Sequence, residues 1–168
     1  MIIFGIDPGT AITGYGVITM KGNTFGWIDS GVIQTTATLP LDIRLEIIYD
    51  GLVDMMRRHT PDHVAIEEAF YGKNVRTTLV LGHARGVAML AARKSGASVT
   101  EYSPREIKKV VTGNGNAAKE QVAYMVKMLV APPAQHDQTD AYDALAVALC
   151  DAQYGGRLSG PWNSGAGR

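Results

Sequence analysis

One cysteine in 168 residues excludes an intrachain disulfide, and the place of Cys150 in an apolar helical pattern makes packing its expected job. No apolar run approaches the ~20 residues that a membrane-spanning helix needs, and no basic-then-apolar leader precedes the first apolar segment. A soluble, cytoplasmic protein with no membrane attachment is the expectation. Histidine is scarce, four in all, and the four show no metal-ligand spacing, so surface or capping roles are their reading, His136 included. No internal repeat is visible. Net charge is zero, which alone argues neither for nor against a polyanionic partner.

What is present is apolar. With 46% hydrophobic residues, the chain is long enough for one domain with a real core and too short for two comfortable ones. Its first stretch, MIIFGIDPGTAITGYGVI, organises the rest. Met1 to Ile6 reads as a buried central strand because it is short, β-branched and not alternating. Asp7 ends that strand. A buried unpaired carboxylate costs several kcal/mol, so Asp7 has to be paired, neutralised or metal-bound, unless it only caps the turn through an Asx-type bond. Pro8-Gly9 makes the turn, and Ile12 to Met20 restarts a strand in which Gly14 and Gly16 remove side chains.

Asn23 to Thr35 is a third strand, which completes an antiparallel meander. The period then changes. From Pro40, apolar residues recur at helical spacing through Met56, with Arg57, Arg58 and His59 in the last turn and Pro61 beyond it. Asp62 to Glu67 is a fourth buried strand, and it too ends on acids, Glu67 and Glu68. By strand alternation only one of these can face the site. A helix rich in small residues runs from about Asn74 to Lys94. Ala97 to Tyr102 is a fifth strand, Ser103 to Val111 a short helix with Pro104 in its first turn, and Thr112 to Asn116 a glycine-rich loop. Helices from Ala117 to Val130 and from near Asp137 through Ala152 follow. The fold class is therefore α/β, a five-stranded mixed sheet combining the three-strand meander with parallel strands and carrying helices on both faces. Residues 1–154 form one domain, and 155–168 a flexible glycine-rich tail.

A right-handed crossover sets the first strand beside the fourth and brings Asp7 next to Glu67. In DQTDAYDALAVALCDA, Asp140 and Asp143 stand one turn apart on one helical face. Asp137 as N-cap and Asp140 in the favoured first turn explain two of these acids and leave Asp143 without a reason. Asp7, Glu67, Asp140 and Asp143 together make an all-oxygen donor set, suited to Mg²⁺ with Mn²⁺ as substitute, and such ions serve phosphodiester hydrolysis.

Charge is segregated along the chain. Residues 1–68 hold nine acids and four bases, residues 69–131 ten bases and three acids, and residues 132–168 four acids and two bases. A basic middle folded against acidic ends suits a protein that grips a polyanion and keeps a carboxylate cluster for metal, although solvated helix faces give the same count. Phe70 and Tyr71 sit in a loop beside the acids, where an exposed ring stacks on an unpaired base or folds back onto the core. Lys119, near a helix start after TGNGN, suits a phosphate. The loop lacks the Walker P-loop spacing.

GIDPGTAITGYGVI, AIEEAF, TGNGNAAKEQV and DQTDAYDALAVAL, in that order, resemble the RuvC family of Holliday-junction resolvases from Met1 to about Ala152. The resemblance implies a ribonuclease-H-like fold, a homodimer, and Mg²⁺-dependent paired nicks across a four-way DNA junction that leave religatable ends. The family's catalytic, metal-holding acids fall on Asp7, Glu67, Asp140 and Asp143. Its junction-facing aromatic falls on Phe70 and its DNA-contacting bases on Lys108 and Lys119; Lys73 and Arg76, from the same basic segment, join the candidate DNA contacts. Partnership with the RuvA and RuvB branch-migration complex is also implied. The helix from Asn74 to Lys94 is the candidate dimer interface. Two other classes compete: a non-catalytic junction-binding protein, and a nucleotide-binding fragment of the actin and Hsp70 type, which GIDPGT also resembles.

Overall fold

The structure, a computed structural model, describes residues 1–68, 75–133 and 138–158. Its elements follow the expected order: β1 (Ile2–Asp7), β2 (Ile12–Lys21), β3 (Thr24–Gln34), α1 (Leu41–His59), β4 (His63–Glu67), α2 (Val75–Ser95), β5 (Ser98–Tyr102), α3 (Pro104–Thr112), α4 (Lys119–Val130) and α5 (Thr139–Leu158). The strands lie side by side as β3-β2-β1-β4-β5. β1, β2 and β3 pair antiparallel, and β4 pairs parallel with β1 and with β5. The meander and the parallel half thus meet at β1, the strand buried from both sides.

Alternation along β1 sorts the core into two layers. Phe4 and Ile6 join Val17, Val64 and Ile66 against Ile48, Leu52 and Met56 of α1 and Ala88, Ala91 and Ala92 of α2. Ile3 points the other way, with Ile18, Ala65 and Tyr102, into a core closed by α3, α4 and α5. Burial of these side chains is the main stabilising term, at about 1.5–3 kcal/mol for each large one. Cys150 is buried in the second core, as its apolar surroundings predict.

Helix α5 lies on the sheet at backbone distance because the strands beneath it lack side chains there. A Cβ at Gly5 would sit 2.1 Å from the Ala144 carbonyl oxygen and 2.6 Å from the Ala148 nitrogen, and one at Gly14 would sit 2.2 Å from the Asp140 carbonyl oxygen. Gly16 meets Leu145 in the same manner, at 2.7 Å from its nitrogen. Gly5, Gly14 and Gly16 therefore pave the track on which α5 rests.

Local signals end the elements near the expected positions. Ser103 and Glu106 form a reciprocal capping box with Pro104 at the start of α3, and Gly113, at φ 81°, closes it in the left-handed region. Thr60 closes α1 with the same conformation, its N–H donating to the Met56 carbonyl. Helix α5 departs from expectation by running to Leu158, past Ala152 and into the segment assigned to the tail. Gly155-Gly156 only weakens a helix, and just before it Tyr154 stacks on Tyr102 at 5.7 Å between ring centres. Among the described residues no helix is long and apolar enough to cross a membrane.

Candidate active site

Register decides where the acids go. Ile6 pairs with Ile66 across the parallel β1–β4 ladder, so the next residues, Asp7 and Glu67, end adjacent strands side by side. Both face α5, as Gly5 and Ala65 do two residues earlier. Glu68 takes the opposite parity, is exposed, and spends its N–H on the Tyr102 carbonyl at 2.9 Å. The turn after Asp7 is held by Thr13, whose hydroxyl donates to the Gly9 carbonyl at 2.6 Å, and by the Thr35 N–H donating to the Ala11 carbonyl at 2.9 Å.

Asp140 lies in the first turn of α5, over Gly14, and Asp143 follows one turn later. One oxygen from each of Asp7, Asp140 and Asp143 lies within 4.8 Å of the others. Glu67 stands outside that trio but lines the same cleft, of about 250 Å³, with Asp7, Asp143, Lys108 and Lys119. Pro104 and Ile107 of α3, Val122 of α4 and Ala146 of α5 make its apolar wall. That wall is what reading the sequence missed. Its only sequence signal is the spacing of Pro104, Ile107 and Lys108, which share one side of α3.

The electrostatics follow from crowding carboxylates in a half-closed site. Burial, then the Asp143 and Asp140 charges, push Asp7 up to about 6 against the pull of Lys119. Burial, then Asp7 and Asp143, push Glu67 up to about 8, again opposed by Lys119 and Lys108. Lys119 Nζ meets Asp143 Oδ2 at 2.5 Å, and that bond holds the ammonium above its ordinary range. Asp7 and Glu67 resist ionisation beside Asp140 and Asp143, and a cluster of hard oxygen donors with no histidine or thiol among them has the chemistry of a divalent-cation site.

The structure separates the basic candidates. Lys108 is half-buried and faces the cleft, whereas Arg105 and Lys109 line a different groove, beside the Gly113–Asn116 loop. Lys119 is the first residue of α4 and reaches the acids. Arg76 is exposed in the first turn of α2. Phe70, Tyr71, Lys73, His136 and the N-cap candidate Asp137 lie outside the described residues.

A family model for the crossover junction endodeoxyribonuclease RuvC matches residues 3–151. The chain belongs to the RuvC family. A RuvC from Desulforamulus reducens is 51% identical over 162 residues, covering 94% of this chain and 99% of the relative. A second, from Pelotomaculum thermopropionicum, is 49% identical over 154 residues, covering 92% and 94%. Among solved structures, Thermus thermophilus RuvC in complex with a Holliday junction substrate superposes with a TM-score of 0.87 at 32% identity, over 94% of this chain and 96% of that one. The yeast mitochondrial resolvase Ydc2, at 13% identity and a TM-score of 0.69 over 94% and 81% of the two chains, shares the fold. The ribonuclease-H-like architecture expected from the sequence is the one observed. RuvC membership makes the chain a phosphodiester-hydrolysing endonuclease and displaces both the non-catalytic binder and the nucleotide-binding fragment.

Proposed function

We propose that this RuvC-family chain resolves four-way DNA junctions in recombination and repair by paired, symmetric, Mg²⁺-dependent nicks that leave religatable ends. The observation that carries the reading is the convergence of Asp7, Asp140 and Asp143 beside a cleft that Asp7 and Asp143 line with Glu67, Lys108 and Lys119. Asp7, Asp140 and Asp143 would hold the ion, with Glu67 completing the set. A divalent ion bound there supplies Lewis-acid charge and an activated water for phosphodiester hydrolysis. Once a bound ion offsets the neighbouring negative charge and Glu67 ionises, its carboxylate would take a proton from the attacking water. Lys119 exchanges Asp143 for the scissile phosphate when DNA enters and offsets its developing negative charge, and Lys108 approaches from the α3 side. Phe70, Lys73 and Arg76 complete the DNA contacts.

The test is a labelled synthetic junction beside matched linear duplex, with Mg²⁺ or with EDTA. Symmetric nicks in the junction alone, lost in EDTA, are expected; junction binding without a cut under any divalent ion would overturn the reading.

The assembly we propose is a homodimer, in the cytoplasm, in which each copy cuts one of two opposed strands. Val75, Leu79 and Leu90 are 74%, 61% and 54% exposed on α2, and Gly82 and Gly86 lie between them with nothing within 4 Å of an added Cβ. That apolar stripe supports α2 as the self-association face. In sedimentation the wild-type chain is expected as a dimer and Leu79→Glu as a monomer, and a wild-type monomer at micromolar concentration would remove the assignment. RuvA and RuvB are assigned as partners on family grounds, and residues 1–154 as the nuclease domain.

A further inference from the structure

Asp151 is the most unusual acid outside the cleft. It lies on α5 eleven residues beyond Asp140, about three helical turns, on the same side of the helix as Asp140, Ala144 and Ala148. Its side chain is 3% exposed. Oδ1 accepts a hydrogen bond from the Tyr102 hydroxyl of β5 at 2.9 Å. Oδ2 lies 3.5 Å from Nδ1 of His63, the first residue of β4. Among the described residues, Oδ2 is the one buried side-chain oxygen or nitrogen left without a hydrogen bond. Burial disfavours the Asp151 charge, while the Tyr102 bond and His63 favour it.

A polar group in such a place calls for a reason, since a well-packed apolar residue of its size is often as stable or more so. The surface beneath α5 supplies one. Gly5, Gly14 and Gly16 let the helix approach closely, but a track without side chains offers little that resists sliding along its axis. Apolar contacts fix the distance between helix and sheet and are indifferent to direction. A directional bond at the far end fixes the axial position, and buried polar groups are best attested in such registry roles.

We propose that Asp151 is a positioning residue: through Tyr102 and His63 it locks the axial register of α5 on the sheet, and with it the placement of Asp140 and Asp143 opposite Asp7 and Glu67. The consequence for divalent ions rests on the metal site proposed above; the lock itself does not. Tyr102 is also the ladder partner of Glu67, so the lock ties α5 to the strand that flanks the cleft. It acts through helix position and touches neither DNA nor ion.

Asp151→Leu keeps the volume and removes both the Tyr102 hydrogen bond and the carboxylate that faces His63, and it is expected to fold. Two readouts decide the proposal in the full-length protein. In amide hydrogen exchange without metal, residues 139–146 of α5 should exchange about tenfold faster than in the wild type, the effect of losing a hydrogen bond to a charged group, while α1 and α2 keep their rates. In thermal melts, the Ca²⁺ or Mg²⁺ concentration giving half the maximal rise in Tm should increase by about the same factor, with junction binding retained. A uniform acceleration over all helices would mark a merely structural residue and overturn the proposal. So would wild-type exchange and a wild-type midpoint in a folded variant. Tyr102→Phe, which loses only the hydroxyl, gives the same readings if Asp151→Leu does not fold, with an expected change of about threefold. If the wild type shows no Tm response to either ion, the metal reading fails, and the exchange data still decide the lock.

Discussion

Asp7→Asn will lower junction nicking by about three orders of magnitude or more and will at the same time stabilise the metal-free protein at pH 8. Both effects come from one environment. Asp7 is raised from 3.8 to about 6 by burial and by Asp143 and Asp140. The folded chain therefore holds this proton more tightly than the unfolded chain, so stability is greatest below pH 4 and is lost as pH rises toward 6. Glu67, raised from 4.5 to about 8, extends the loss to pH 8. The asparagine variant never ionises and escapes its share, about 1–2 kcal/mol after allowance for solvent at the cleft mouth. Melting curves check the sign: the variant should exceed the wild type at pH 8 without metal, match it at pH 4, and show no rise in Tm with Mg²⁺. A variant that melts below the wild type at pH 8 would show that the Asp7 charge is satisfied in the folded protein. In that case the case for an ion at this site would fail.

The second large effect belongs to a residue with no side chain. Gly5→Ala places a Cβ 2.1 Å from the Ala144 carbonyl oxygen and 2.6 Å from the Ala148 nitrogen. Both are backbone atoms of one helix, so relief requires α5 to lift as a body. The expected cost exceeds about 3 kcal/mol, and at about 2–4 °C per kcal/mol for a chain of this size Tm falls by roughly 6–12 °C or more. What remains folded should nick poorly, because Asp140 and Asp143 rise with the helix. Gly26→Ala is the control. It meets only the Thr19 methyl, at 3.1 Å, and should change stability by less than about 1 kcal/mol. Equal losses in the two variants would mean that close approach of α5 is not what Gly5 provides.

Much of this was legible in the sequence, for identifiable reasons. Apolar period gave the element order, and the crossover argument placed β1 beside β4, because those rules depend only on local pattern and chain connection. Strand parity says that only one of Glu67 and Glu68 faces the site, the family resemblance falls on Glu67, and the two do point to opposite faces, with Glu67 lining the cleft. Three things were not legible. Charge and helical spacing do not separate Arg105, Lys108 and Lys109; the family resemblance singled out Lys108, and the rotation of α3 is what sends it to the cleft. Gly5 reads as a weak strand former and Gly14 and Gly16 as places without side chains, but that the space serves a helix far along the chain is not written in the local pattern. Asp151 has no partner at motif spacing in the sequence, since Tyr102 and His63 lie on distant strands. The clue available was its place on the Asp140, Ala144, Ala148 stripe.

The cleft draws its first acid from residue 7 and its last from residue 143, with the sheet partner at 67 between them. During synthesis, at roughly 5–20 residues per second, Asp143 emerges on the order of ten seconds or more after Asp7. The hairpin of β1 and β2 has its partners at hand from the start, but the face paved by Gly5, Gly14 and Gly16 stays uncovered until α5 arrives. A nascent or truncated chain lacking α5 therefore has no assembled nuclease. The same order of events leaves a growing chain with an open apolar sheet face, so the interval before the last helix docks is when it is most exposed to aggregation and most in need of a chaperone.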